Sequence, residues 1–174
     1  MVARGVSAAA SAARMSVVRA VLLLALLGAC AVSLAPAYDP ALVAKLNTTN
    51  EKALTLFSAV KNGSPASAFP GFANRYDELI GAFDAARMQA AAREVPALSQ
   101  RALAVVGGTE ACPVPDDCVN PTPTILGTVA ANLARMRDTH AARGLESDVV
   151  DLFKNAHETS MMQALEVENA FQRN

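Results

Sequence analysis

Apolar residues recur at intervals of three and four from residue 40 onward, which is the spacing of one buried face of an α-helix. The first such stripe follows Asp39-Pro40, a capping carboxylate before a proline at the first turn, and Gly63 ends it. The pattern predicts a helix of about five turns. Its inner positions are Leu42, Leu46, Thr49, Ala53, Leu56, Phe57 and Val60.

A second stripe runs from Phe72 to Val106, where Gly107-Gly108 ends it. Pro96 lies inside this stripe, and a proline in a helix interior removes a hydrogen bond and kinks or interrupts the helix. We therefore expect a second helix that is kinked or restarted at Pro96. Its inner positions are Phe72, Tyr76, Leu79, Ile80, Phe83, Ala86 and Ala90.

Two more helices are predicted in the last third of the chain. One begins at Thr122-Pro123 and ends at Gly144, and the other is capped by Ser147 and Asp148. Because no run alternates like a strand, the fold class is predicted to be all-α, an antiparallel four-helix bundle. The expected inner positions are Ile125, Val129, Leu133 and Met136 on the third helix, and Val149, Leu152, Phe153, Ala156, Ser160, Ala164, Val167 and Phe171 on the fourth.

Composition supports the helical prediction and excludes two classes of partner. Hydrophobic residues make up 52% of the 174 residues but aromatic ones only 5%, and alanine supplies much of the apolar share. Alanine favours helix, whereas strands favour β-branched and aromatic residues. The formal charge is −1, so there is no overall field that would draw the chain to nucleic acid or an anionic membrane.

Residues 1–37 have the pattern of an export leader, which leaves 38–174 as the helical domain. Arg14 and Arg19 precede an uncharged stretch over 20–37, whose second half is rich in small residues. A start at Met15 would give a compact leader and make residues 1–14 a misassigned start. The stretch barely spans a bilayer, so an uncleaved anchor is the weakest interpretation.

Two cleavage sites compete in this leader. Leu27-Gly28-Ala29-Cys30 resembles the lipobox of bacterial lipoproteins, and this resemblance implies lipidation of Cys30 as the first mature residue. Ala35-Pro36-Ala37 fits the small-x-small rule and would free a soluble secreted chain beginning at Tyr38. Either route exports the domain, to the periplasm or outer envelope or as a secreted protein.

Cys112 and Cys118 are predicted to form a disulfide in the loop 108–121. They are the two cysteines left after the leader, and an oxidising compartment favours their pairing. The residues between them include Pro113 and Pro115, which allow the chain to double back. A redox pair would require Cys-x-x-Cys, and a zinc site would require more ligands, so both are weaker alternatives. The predicted disulfide staples a crossover loop.

The two histidines are the remaining candidates for chemistry. His140 and His157 each lie four residues from a methionine, Met136 and Met161, at the edge of an apolar stripe. In a hairpin turning near Gly144 their heights differ by ~12 Å, so they cannot share one ion. Each is interpreted as a boundary histidine beside core methionines, with a cofactor site as the alternative.

No catalytic, phosphate-binding or metal-binding motif emerges from the sequence. We therefore predict an exported, non-enzymatic helical-bundle protein of the cell envelope or periplasm that acts by binding an envelope partner, without nucleic acid and without a required cofactor. The alternative is a carrier of haem, copper or an apolar molecule. Its site would lie between helices near His157, Met161 and Met162.

Overall fold

Helices account for most of the regular structure in the computed structural model, which describes residues 35–97, 101 and 118–173. Within these residues no strand forms, apart from one isolated β-bridge, and the all-α prediction is confirmed. The elements in chain order are α1 (Pro40–Val60), a short 3₁₀ helix (Ala66–Gly71), α2 (Ala73–Ala91), α3 (Thr122–Arg143) and α4 (Ser147–Gln172).

Helix α1 forms as the sequence predicts. The Asp39 carboxylate accepts the backbone N–H groups of Ala41 at 2.9 Å and Leu42 at 3.1 Å, which caps the first turn. After the helix, Gly63 has a φ of +89°, a conformation that glycine adopts without strain. The buried residues of α1 are the seven predicted positions, so the apolar stripe does face the core.

Helix α2 ends at Ala91, so the predicted helix with a kink at Pro96 is wrong. Pro96 accounts for this end. It disfavours the helical conformation at Val95, and in a continuous helix its ring would clash with the carbonyl of Ala92, the residue that caps α2. Ala97 and Arg101 are helical again, which agrees with the alternative of a restart after Pro96.

Each long helix packs against two others. Helix α1 contacts α2 and α4, and α3 contacts the same two, while the 3₁₀ helix lies against α2 and α3. Helices α2 and α3 pack closely at Gly127, where an added Cβ would lie 3.3 Å from the Arg87 side chain. The four long helices of the described residues therefore enclose the core.

Val129, Leu133 and Met136 are buried on α3 as predicted, whereas the inner face of α4 is turned relative to the prediction. Leu126 is buried where Ile125 was expected, and Leu152, expected inside, is 68% exposed. The predicted stripe on α4 consisted of apolar residues and Ser160, whereas the observed inner face also carries His157 and Glu168, which have hydrogen-bond partners. That face consists of Val150, His157, Ser160, Met161, Ala164, Glu168 and Phe171.

The turn between α3 and α4 contains the second glycine that its conformation requires. Gly144 ends α3 as predicted, with φ +80°, and an added Cβ there would lie 2.8 Å from the Ser64 carbonyl oxygen. Helix α4 begins at Ser147, but without the predicted side-chain cap. The Asp148 carboxylate instead accepts the N–H of its neighbour Val149 at 2.9 Å.

Several predictions concern residues outside the described part of the chain. Cys30, Cys112 and nearly all of the leader lie there, whereas Cys118 lies inside it. The cleavage site, the lipidation and the disulfide therefore stay predictions. Among the described helices, none is long and apolar enough to cross a membrane.

Candidate functional site

His140 is buried at the end of the molecule where α3 turns into α4. Its Nδ1 lies 3.2 Å from the Tyr76 hydroxyl and its Nε2 lies 3.0 Å from the Ser64 hydroxyl. The rings of Phe69 and Phe72 pack around the imidazole, with centroids 5.5 and 5.4 Å away. The site thus joins α2, α3 and the connection after α1.

The His140 site has the outline of a serine–histidine pair, but its surroundings favour a structural role. Burial lowers the pKa of His140, with a partial offset from its hydrogen bond to the Pro65 backbone, so the ring is neutral near pH 7. A neutral imidazole has one donor and one acceptor, and two hydroxyls satisfy both in either tautomer. The Ser64 N–H donates to the Leu145 carbonyl at 2.8 Å, so it does not face an oxyanion.

His157 lies in the middle of the core, between α1, α2 and α4, and is 1% exposed. Its Nε2 is 2.9 Å from the Asn50 side-chain oxygen, while Nδ1 has no hydrogen-bond partner in the described part of the chain. The Phe57 and Phe83 rings pack against it at 5.3 and 5.8 Å. Burial lowers the pKa of His157 to about 4, with a smaller opposing effect of Glu158.

The sequence-predicted cofactor residues all lie on α4 but differ in exposure. His157 and Met161 are buried, whereas Met162 is 60% exposed. The two methionines line a shallow groove of about 300 Å³ between α1 and α4, and His157 does not line it. In the described part of the chain, no group of three or more His, Cys, Asp or Glu side chains is placed to hold a metal ion.

A buried ion pair lies at the opposite end from His140. The Arg93 guanidinium donates to both carboxylate oxygens of Glu168 at 2.7 Å, and the Thr122 hydroxyl donates to the same carboxylate at 2.6 Å. Asn120 accepts from Arg93 at 2.9 Å and donates to the Ala90 carbonyl at 2.9 Å. This network ties the ends of α2 and α4 to the start of α3.

A recess of about 270 Å³ opens between α1 and α2 on the surface. The side chains of Leu56 and Leu79, both almost fully buried, form its apolar floor. Its rim carries the cations Lys52 and Arg75 and the carboxylate Glu78, all exposed. The full lining is Thr49, Lys52, Thr55, Leu56, Arg75, Glu78, Leu79 and Ala82.

Sequence reasoning did not identify this recess or the partners of the two histidines. The sequence signals the recess only through Lys52 and Arg75, which lie beside the predicted inner faces of two helices. Each of these charges alone looks like an ordinary solvated surface residue.

Comparison of the chain with protein-family models, with curated proteins and with solved structures found no match in any of the three.

Proposed function

We propose that this protein is an exported, non-enzymatic binding protein, built as an antiparallel four-helix bundle, whose binding site is the recess between α1 and α2. The contacts at both ends support the bundle. Ser64, after α1, forms a bridge with Leu145, before α4, and Asp39, before α1, accepts a hydrogen bond from Gln89 near the end of α2 at 2.7 Å. In each case the end of one helix lies beside the start of the other, so α1 is antiparallel to both α4 and α2.

One observation carries the binding proposal, namely that the rim charges of the recess form no ion pair with any residue that the structure describes. No described residue forms an ion pair with Lys52, Arg75 or Glu78. Charged groups beside an apolar floor are typical of ligand sites, where a few polar groups orient an apolar body. The recess is slightly smaller than the ~300–1,000 Å³ of most ligand pockets, so it suits a small ligand or a single side chain.

The experiment measures saturable binding of a neutral apolar dye, N-phenyl-1-naphthylamine, to the mature chain 38–174. We expect 1:1 binding that Ala82→Phe, which fills the recess from its half-buried wall, weakens by about tenfold or more. Leu152→Phe adds the same ring at an exposed site on α4 and serves as the control. Absence of saturable binding, or equal binding to both variants, would refute the proposal.

A second candidate is a carrier site near His157 and Met161, and the unpartnered Nδ1 of His157 favours it. A buried ring nitrogen without a hydrogen bond is uncommon and can serve as a ligand atom for haem or copper. The absorption spectrum and metal content of the protein purified from its natural source test this candidate. A colourless, metal-free protein would reject the haem and copper versions.

Export and the Cys112–Cys118 disulfide are part of the same proposal and have one common test. Intact-mass analysis of the mature protein distinguishes a lipidated chain beginning at Cys30 from a chain beginning at Tyr38. The mass before and after reduction shows whether the two thiol hydrogens are missing, as a disulfide requires. A full-length chain with free thiols would contradict both parts.

A further inference from the structure

The hydrogen-bond donors that the recess offers are cationic. The Thr49 hydroxyl donates to the Lys45 carbonyl at 2.8 Å, and the Thr55 hydroxyl donates to the Glu51 carbonyl at 2.9 Å. Among the side chains that line the recess, this leaves Lys52 and Arg75 as the donors for which no described residue supplies an acceptor. A ligand that satisfies them must bring acceptor oxygens, and a carboxylate is the group that pairs best with both.

The position of Arg75 strengthens this requirement. Its guanidinium carbon lies 5.7 Å from the centroid of the Phe72 ring, a cation–π distance that holds the side chain beside the start of α2. Lys52 faces it across the recess from α1. Two cations from different helices thus flank one apolar floor, and the single carboxylate, Glu78, leaves the lining with a net positive charge.

We propose that the recess binds a small amphipathic carboxylate, such as a medium-chain fatty acid. Its head group pairs with Lys52 and Arg75, and its apolar chain covers Leu56, Leu79 and Ala82. Charge complementarity fixes the head group, and the volume of about 270 Å³ excludes a long-chain fatty acid. This inference rests on the proposed function, because it names the ligand class of the same site.

The test compares three probes that share one chain, namely octanoate, octanol and octylammonium, by competition with the neutral dye. We expect octanoate to bind about tenfold more tightly than octanol, with octylammonium weakest and with octanoate binding reduced by salt. Lys52→Gln and Arg75→Gln should each weaken octanoate and leave octanol unchanged. Lys61→Gln removes an exposed lysine outside the recess and is the matched control.

Glu78→Gln tests the sign of the charge effect. We expect it to tighten octanoate binding, because the Glu78 carboxylate repels a carboxylate ligand. Weaker octanoate binding in this variant would overturn the inference, since it would mean that Glu78 helps to hold the ligand.

The outcomes separate this inference from the function on which it rests. Equal affinities for octanoate and octanol, unchanged by the Lys52 and Arg75 variants, would overturn the carboxylate assignment and leave the binding recess standing. Failure of all three probes and of the dye would overturn both.

Discussion

Replacing Glu168 by alanine is expected to destabilise the folded protein by about 3 kcal/mol. The Glu168 side chain is fully buried and its two carboxylate oxygens accept two hydrogen bonds from Arg93 and one from Thr122. The variant removes the negative charge and leaves the guanidinium in place with a side chain only 9% exposed. A buried charge without its partner is the cause of the expected loss.

The surroundings of Arg93 place the expected value at the lower end of the range. Removing one partner of a buried ion pair typically costs about 3–5 kcal/mol. In the variant Arg93 would keep the Asn120 oxygen at 2.9 Å and the Ala90 carbonyl at 3.3 Å, and its guanidinium still lies 5.1 Å from the Phe171 ring centroid. These contacts replace part of the stabilisation that the Glu168 carboxylate gives to the guanidinium, so a loss of about 3 kcal/mol is expected rather than 5.

Urea unfolding of the mature chain at pH 7, followed by circular dichroism, measures the loss. The midpoint should fall while the slope with urea concentration stays unchanged, because the surface exposed on unfolding is the same. Asp77→Ala is the control. Asp77 pairs with Arg137 at 2.9 Å but is 61% exposed, and such a surface pair is worth at most about 1 kcal/mol. A Glu168→Ala variant within 1 kcal/mol of the parent would refute the reasoning from burial.

Three further predictions concern other parts of the molecule. Burial lowers the pKa of His157 from 6.5 to about 4. Between these two pH values the unfolded chain binds a proton at this histidine and the folded chain does not. The free energy of unfolding should therefore fall by about 3 kcal/mol as the pH drops from 6.5 to 4. His157→Gln should flatten this dependence in urea titrations, and an unchanged slope would contradict the assignment. Gly144→Ala should destabilise by about 1–3 kcal/mol, because φ is +80° and the new Cβ meets a backbone oxygen. Gly81→Ala, in open space on α2, should instead stabilise by about 0.5–1 kcal/mol, and similar urea midpoints for the two variants would refute the distinction. Finally, Cys112 and Cys118 should resist maleimide before reduction and react after it, whereas labelling without reductant would reject the disulfide.

The predictions from sequence succeed where local chemistry decides the structure. Helix α1 has a capping carboxylate, a proline at its first turn, a glycine after its end and seven inner positions with regular spacing. Each of these signals acts over a few residues, and all agree, so the helix and its buried face follow from the sequence. Gly144 is a similar case, since a turn that needs positive φ can be read from one glycine.

The same reasoning fails where distant side chains decide what is buried. Tyr76 and Ser64 are separated from His140 by 64 and 76 residues, and Glu168 is 75 residues from Arg93. A polar residue can be buried when such a partner satisfies its hydrogen bonds, but a prediction from hydrophobic periodicity assigns it to the surface. This is why the predicted inner face of α4 omitted Glu168 and why both histidines were placed at a boundary rather than inside.

The distribution of partners also distinguishes the recess from the other polar sites. At both ends of the described molecule the buried polar groups satisfy one another, as His140 does with two hydroxyls and Arg93 does with Glu168. Such groups stabilise or orient helices and need nothing from outside. Lys52 and Arg75 instead flank an apolar floor without an ion pair to any described residue. An amphipathic anion would complement both the apolar lining and the cations of this one recess, and for this reason we propose the recess rather than the histidines as the binding site.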